Sequence, residues 1–209
     1  MESRGEGGAA SGALTASRTL FDWWERWAAS RAATGLMFAW AVAEATVWPV
    51  IPDFLLVLLV AANRRRFYVP LGAAIAGSAI GGTATFLFAY WVPEQSLDVL
   101  RGLPLVQDAD IRDVQATLDE HATIAIFVQP WSGVAYKIWG VVAGVQQLSP
   151  WLVIPTFIAA RAIRMTVVAL AVRLLVGRFR GFVRDFSIPI LLLYLLVFFY
   201  WWWRTQVAG

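Results

Sequence analysis

The stretch FAWAVAEATVWPVIPDFLLVLLVAA, Phe38 to Ala62, is an apolar run that two prolines interrupt near its middle. An unbroken apolar run of about 20 residues is typical of a membrane-spanning helix. Pro49 and Pro52 each remove a backbone donor and clash with the preceding turn. The helix should therefore stop near Val47 and restart at about Asp53. The stretch predicts a re-entrant hairpin with two half-length arms and with both prolines near its tip.

Two carboxylates, Glu44 and Asp53, flank this break, and both are candidate functional residues because an ionised group in lipid is costly unless it is paired, protonated or hydrated. Asp53 opens the second arm, where free backbone N–H groups and the helix dipole favour a charged carboxylate. A simple N-cap is an equally good interpretation of Asp53. Glu44 has apolar neighbours and no such donors, so we expect it to be the proton carrier, since burial disfavours a charged carboxylate.

The composition predicts an integral membrane protein. The chain has 209 residues, of which 59% are hydrophobic, including 12 Trp and 13 Phe, and this exceeds what a soluble domain requires. It has no cysteine and one histidine, His121, which argues against a metal site or a catalytic triad. The net charge of +3 favours anionic lipid headgroups over nucleic acid as a partner. We expect no cofactor.

The ends of the chain flank this membrane part. Residues 1–18 are rich in Gly, Ala and Ser and predict a disordered tail. Residues 19–34 mix tryptophans with arginines, the pattern of an amphipathic helix in the membrane interface, although they could be the polar start of the first arm. Residues 186–204 predict a C-terminal transmembrane helix with a tryptophan belt.

The first hairpin, 35–62, is followed by a basic loop and a span, 67–92. Arginines before and after the hairpin place both of its ends, and the N terminus, on the cytoplasmic side by the positive-inside rule. Within the span, Ala73, Gly77 and Gly81 recur every four positions and predict close approach of another helix. The same small residues leave open the assembly of a homo-oligomer.

The linker 93–121 has seven acidic and two basic residues between Glu94 and Glu120, a net charge of −5. This charge suits the external side, one crossing away from the basic loop. Residues from about 107 to 120 could form a surface helix, with the acids as a solvated face. A calcium site is a poorer interpretation because the glycine-centred loop of such sites is missing.

The second half repeats this plan. A hairpin, 122–146, is interrupted at residues 129–133, with Gln129 and Pro130 near its tip, and a span, 150–176, follows it. Because the second hairpin starts from the external side, the two repeats should be inverted, an arrangement that places broken helices around a midplane site in secondary transporters. The predicted fold is thus an all-α integral membrane protein with two inverted repeats, each a proline-broken re-entrant hairpin plus a transmembrane helix.

Three basic residues lie inside apolar segments of the second half: Lys137, Arg161 and Arg164. Arg161 is about 16 Å along its helix from Pro150, near the middle of a bilayer, and Arg164 shares its face. These cations are candidates for binding a lipid phosphate. The alternative is a buried ion-pair lock, formed with Glu44 or Asp53, that has no role in transport.

The motif AEATVWPVIPDFLLV, 43–57, resembles the first motif of the DedA (SNARE-associated, or VTT) family, an acid followed by a Pro-x-x-Pro-acid turn. QPWSGVAYKIWGVVAG, 129–144, together with AARAIR, 159–164, is similar to the second half of the YqaA-like branch. The chain departs from that branch at Ala135, where a proline is common. Lys137 is the nearest substitute for the second-hairpin arginine of other branches.

The resemblance implies a transporter in the bacterial inner membrane that moves a polyprenyl phosphate or a phospholipid between leaflets and uses protons or membrane potential. Two other classes stay open. An intramembrane lipid-modifying enzyme would need a nucleophile such as Ser132 and a base or metal, for which the residues are few, so we expect no enzymatic activity. A non-catalytic scaffold would use the small-residue span and the basic loops for assembly.

Overall fold

The computed structural model describes residues 23–49 and 51–178, together with positions 193, 196, 197, 199, 200, 203 and 204. About 85% of the structure is helical, and the described residues include no strand. The predicted tail, 1–18, lies outside the described residues. So does most of the predicted C-terminal helix, 186–204, although the seven positions given above are helical.

The first half contains a short helix and two arms before its long helix. Residues 23–28 form α1, and α2 covers Arg31–Thr46. The second arm, α3, is Asp53–Ala62, and the long helix α4 is Tyr68–Trp91. The stop and restart predicted from Pro49 and Pro52 are confirmed, because α2 ends one residue before Val47 and α3 begins at Asp53.

The arms of this first hairpin are less equal than the sequence predicted. Ser30 caps α2, its side chain accepting a hydrogen bond from the Ala33 backbone N–H at 3.1 Å. The first arm therefore begins four residues before the predicted boundary at residue 35. At 1.5 Å per residue it is about 24 Å long against about 15 Å for α3. A serine before an arginine is a weak sequence signal for a helix start, and the tryptophans in residues 19–34 favoured an interfacial helix there instead.

The linker of the second half is more ordered than predicted. It contains two helices, α5 at Pro93–Arg101 and α6 at Asp108–His121. The predicted surface helix corresponds to α6, whose Ile111 and Leu118 are buried while its acids face outward. The sequence missed α5 because its apolar face is only two turns long.

The second hairpin differs from the first in its helix type. Its first arm is a 3₁₀ segment, Ala122–Trp131, and α7 follows at Tyr136–Val145. Pro130 lies inside the 3₁₀ segment, so the break is at residues 132–135, which overlaps the predicted interruption at 129–133 and extends two residues beyond it. In an α-helix the proline ring clashes with the carbonyl four residues earlier. The tighter turns of a 3₁₀ segment move that carbonyl away from the ring, so the segment tolerates this proline. The last helix, α8, covers Pro150–Arg178.

Close approach of α2 to α4 depends on the predicted small residues. A Cβ added at Gly81 would lie 2.7 Å from the carbonyl oxygen of Val42 and 2.8 Å from the Cβ of Ala45. Gly77 contacts α2 in the same way one turn earlier. The small-residue face of α4 is thus occupied by a helix of the same chain.

Two apolar clusters form the interior. One joins α4 to α8 through the linker helices and α7, and includes Ala45, Tyr136 and Ala160. The other joins α2, α3, α4 and α8, and includes Ala41 and Met165. Along α2 the change from one cluster to the other falls between residues 41 and 45, and along α8 between residues 160 and 165.

Two of the described helices are long and apolar enough to cross a membrane, Tyr68–Trp91 and Pro150–Val176. Both match the predicted spans, 67–92 and 150–176, to within a residue. Large apolar side chains on α8 point away from the protein, such as Trp151 and Leu174, which are 88% and 74% exposed. An all-helical chain with these two helices is compatible with an all-α membrane protein.

Candidate functional site

Charged side chains meet where the two apolar clusters join. We call Glu44, Asp53, Lys137, Arg161 and Arg164 the charged cluster. These are the five ionisable candidates that the sequence singled out. Two ion pairs join four of them across α2, α3 and α8, and Lys137 of α7 donates hydrogen bonds to the end of α2. The apolar clusters on either side keep water away from most of it, which strengthens the interactions between its charges.

Arg161 forms an ion pair with Glu44, its Nη2 donating to Oε2 of the carboxylate. Both side chains are buried, with 2% and 7% of their residue surfaces exposed. Each of these charges needs the other, because removing one partner of a buried pair leaves an uncompensated charge. The pair fixes α8 to the last full turn of α2.

Arg164 forms the second ion pair, with Nη2 at 2.6 Å from Oδ2 of Asp53. Its Nη1 donates to the carbonyl oxygen of Pro130 at 3.1 Å. Arg164 therefore joins the start of α3 to the break of the second hairpin. The side chains of this pair are 24% and 15% exposed, so it is the accessible edge of the charged cluster.

This pairing corrects one interpretation of Asp53. The sequence suggested that its carboxylate accepts backbone N–H groups at the start of α3. In the described part of the chain it makes no capping hydrogen bond, and the N-cap position is Pro52. The Arg164 guanidinium on α8 is a stronger partner for this carboxylate than a backbone amide, since both groups of the pair are then charged.

Lys137 holds the end of α2. Its Nζ donates to the carbonyl oxygens of Val47 at 3.3 Å and Trp48 at 3.2 Å. These carbonyls have no helical partner because Pro49 ends the helix. Lys137 lies one residue into α7, so the break of the first hairpin and the break of the second are brought together. The predicted tip residues Pro49 and Pro130 both lie next to the cations that make these connections.

Tyr136 is a member of the site that the sequence did not single out. Its ring lies under the guanidinium of Arg161, with Cζ at 4.3 Å from the ring centroid. The ring also packs edge-on against Phe157, with centroids 5.1 Å apart. Gly82 makes room for the Tyr136 hydroxyl, because a Cβ there would overlap it. The signal that was overlooked is an aromatic residue directly before the only lysine.

Several polar atoms of the site have unused hydrogen-bonding capacity. Among the described residues, these buried atoms have no hydrogen-bond partner: Asp53 Oδ1, Gln129 Oε1, Tyr136 OH and Arg161 Nε. Buried polar groups are normally satisfied, and exceptions cluster at functional sites. Gln129, a predicted tip residue, is thus buried beside the break with its amide oxygen unpaired.

The charged cluster has three cations and two carboxylates, a formal charge of +1. Each arginine is paired with an acid, whereas the ion pairs of the described residues do not include Lys137. Of the predicted phosphate-binding residues, Lys137 is therefore the one without a direct ion pair among the described residues. The carbonyl oxygens that accept from Lys137 have no formal charge, so the formal charge of the cluster stays positive and favours an anion.

The residues considered for enzymatic chemistry are placed differently. Ser132 Oγ donates to the carbonyl of Gln129 at 3.0 Å and accepts from the backbone of Val134, so it stabilises the turn after the 3₁₀ segment. The side chain of His121 is 53% exposed, at the end of α6. Within the described ranges, no group of three or more His, Cys, Asp or Glu residues is arranged to hold a metal ion.

Comparison of the chain with protein-family models, with curated proteins and with solved structures finds no match.

Proposed function

We propose that this protein moves a phosphate-bearing lipid, either a polyprenyl phosphate or a phospholipid, between the two leaflets of a membrane. The proposal follows from the resemblance to the DedA family and would make the chain a flippase or a scramblase. The observation that carries it is Lys137, a buried lysine at the junction of two broken hairpins that is in no direct ion pair of the described residues. A cation in this position lowers the cost of bringing a phosphate into an apolar interior.

The surroundings of the charged cluster support this proposal. The Asp53–Arg164 pair is partly exposed, so a phosphate could approach Arg164 there and compete with its carboxylate. The Glu44–Arg161 pair is enclosed and can hold the helices in register while this happens. Large exposed apolar residues on α8 provide the lipid contact that such a protein needs.

Two specific findings weaken the alternatives. Of the two features that a scaffold would use for assembly, the small-residue face is covered by α2, which leaves only the basic loops. The Ser132 hydroxyl that an enzyme would use is engaged in a turn. Leaflet exchange therefore remains the best use of the charged cluster.

We propose further that both hairpins are re-entrant, that the two repeats are inverted and that the N terminus is cytoplasmic in a bacterial inner membrane. Cysteine labelling tests this topology directly because the natural chain has no cysteine. Gly35→Cys and Asn63→Cys should react with an impermeant maleimide from the same side. Labelling from opposite sides would mean that the first hairpin crosses the membrane.

The transport role is tested with Lys137→Met, which keeps the length of the side chain and removes its donors. A hydrogen bond to a charged group contributes about 1.5–3 kcal/mol, so leaflet exchange should fall about 10- to 100-fold. The measurement is quenching of fluorescent phosphatidylglycerol or fluorescent prenyl phosphate in vesicles with the reconstituted protein. Arg65→Met, an exposed arginine of the basic loop, is the control and should exchange lipid normally.

The same vesicles separate the three classes of function. Exchange without a chemical product supports transport, an altered lipid supports an enzyme, and neither result supports a scaffold. A fluorescent glycosylceramide, which has no phosphate, should be exchanged poorly by the natural protein and equally poorly by Lys137→Met. Equal loss of the two phosphate lipids and the glycosylceramide would show that Lys137 only stabilises the fold.

A further inference from the structure

A cavity of about 290 Å³ lies between α2, α4, α5 and α7. Its walls come from the end of α2, from α4 and α7, and from α5 with the turn that follows it, including Val47, Phe88, Leu100 and Val141. Val47 and Phe88 at its rim are 52% and 42% exposed, so the cavity opens through an apolar rim. The residues that line the cavity do not include any member of the charged cluster.

The cavity is apolar even where hydroxyl groups line it. Thr85 Oγ1 donates to the carbonyl of Ala45 at 2.8 Å, and Ser96 Oγ donates to the carbonyl of Pro93 at 2.7 Å. Thr46 Oγ1 donates to two carbonyls of its own helix at 3.0 Å. All three hydroxyl donors are therefore turned to the backbone. A polar ligand would find few partners here, whereas a hydrocarbon chain would find matching walls.

The cavity is next to Lys137. Val47, at its rim, is the residue whose carbonyl oxygen accepts a hydrogen bond from Lys137 Nζ at 3.3 Å. Val141, in its wall, lies four residues after Lys137 on α7 and shares its face of the helix. The cavity and Lys137 thus share the end of α2 and one face of α7, so a lipid whose chain enters the cavity would have its charged end on the side of Lys137.

We propose that this cavity holds one hydrocarbon chain of a phosphate-bearing lipid whose phosphate lies at Lys137. The inference rests on the proposed function and deepens it, because it adds the site for the apolar part of the substrate. A volume of about 290 Å³ is at the lower end of ligand cavities, which are about 300–1,000 Å³. It fits a section of one chain and leaves the rest of the lipid in the surrounding bilayer.

Photo-crosslinking in vesicles tests the inference. The full chain is reconstituted in phosphatidylcholine with a small fraction of phosphatidylglycerol or prenyl phosphate that has a diazirine in its hydrocarbon chain. A diazirine glycosylceramide is the probe without phosphate. Peptides that contain Phe88, Leu100 and Val141 should be labelled by the phosphate lipids and much less by the glycosylceramide. The two phosphate probes show whether an acyl or a prenyl chain is preferred.

A matched pair of variants makes the test specific. Ala84→Trp places an indole in the cavity and should reduce labelling of these peptides about tenfold, since the indole takes the space that the hydrocarbon chain would occupy and weakens its binding by about 1.4 kcal/mol. Ala76→Trp makes the same change at an exposed position of α4 outside the cavity and should leave labelling unchanged. Equal effects of the two variants, or equal labelling by all three probes, would overturn the inference.

Leaflet exchange measured in the same vesicles separates the inference from the proposed function. If the natural protein exchanges phosphatidylglycerol but is labelled outside the cavity, the chain site is wrong and transport stands. If the cavity is labelled selectively and no lipid is exchanged, the chain site stands and transport is wrong. Absence of both selective labelling and exchange would overturn both.

Discussion

Arg161 and Arg164 extend from successive turns of α8 and bind carboxylates on opposite sides of the same break, yet their ion pairs have different surroundings. Arg161 and Glu44 are enclosed between two apolar clusters, and the ring of Tyr136 covers the guanidinium. Arg164 and Asp53 lie at an edge, with 24% and 15% of their side chains exposed. Two ion pairs of the same kind, one turn apart, therefore differ in exposure: one is buried and the other is partly exposed.

The difference indicates a division of labour. A buried pair holds its helices together because neither charge can be left alone without a large cost. A partly exposed pair is weaker, since water and ions screen it, so it can exchange a carboxylate for another anion. We expect the Glu44–Arg161 pair to fix the fold around the first break and the Asp53–Arg164 pair to respond to a ligand.

The largest effect should come from Arg161→Ala. It leaves Glu44 buried without a partner, which typically costs about 3–5 kcal/mol, and it should abolish leaflet exchange. The thermal unfolding midpoint in detergent should fall well below that of the natural protein. Arg173→Ala, which removes an exposed arginine from the ring of Phe67, should lower it only slightly.

A double variant distinguishes the lock from a direct ligand role. Glu44→Ala combined with Arg161→Ala removes both buried charges and should recover much of the unfolding midpoint. Leaflet exchange should stay low if Arg161 also contacts the lipid phosphate. Recovery of exchange along with stability would show that Arg161 only neutralises Glu44.

The sequence predicted the boundaries around the first break well, because proline acts on its own turn and needs no tertiary contact. It also predicted which helix face is small, since glycines at four-residue spacing mark a close approach wherever the partner lies. It left open which acid pairs with which base. Arg161 and Arg164 differ by one turn, and the burial that separates them is decided by how α2, α3 and α8 pack.

The other gaps have the same origin. Nothing local to Lys137 shows that its partners are the carbonyls of Val47 and Trp48, which precede it by about 90 positions in the chain. The 3₁₀ form of the second hairpin's first arm is equally hidden, because Ala122–Trp131 has the apolar pattern of any buried helix. The cavity beside Val141 depends on the placement of α5, which the sequence did not predict.

A smaller effect, confined to the buried pair, should follow from Gly82→Ala. The added Cβ would overlap the Tyr136 hydroxyl and lie 2.7 Å from Cζ of its ring. The ring is packed between Phe157 and Arg161, so it has little room to move. Overpacking of this kind costs about 1–3 kcal/mol, and the unfolding midpoint should fall accordingly.

Gly72→Ala is the control for this change. It lies on the same helix with nothing within 4 Å of the added Cβ, and it should be neutral or slightly stabilising, as Ala is preferred over Gly in helices. The effect on the ion pair is read from Glu44→Gln made in the Gly82→Ala protein. Once Tyr136 is displaced there, Glu44→Gln should lower the unfolding midpoint by less than it does in the natural protein. An unchanged cost would show that Tyr136 does not support the Arg161 pair.

The smallest effect on stability should come from Asp53→Asn. The amide oxygen can still accept a hydrogen bond from Arg164, and this pair is less enclosed than the Glu44–Arg161 pair, so the loss should be smaller than the loss of about 3–5 kcal/mol for a fully buried pair. The variant should keep its fold and part of its leaflet exchange. Glu44→Gln changes the other acid in the same way and should cost more stability, because it leaves the buried Arg161 without a counter-charge.

If Glu44 is also the proton carrier, exchange by Glu44→Gln should no longer respond to a pH gradient across the vesicle, whereas exchange by Asp53→Asn should respond as the natural protein does. Equal losses of stability in the two variants, or a pH response that disappears with Asp53→Asn instead, would contradict the division between the buried and the exposed pair.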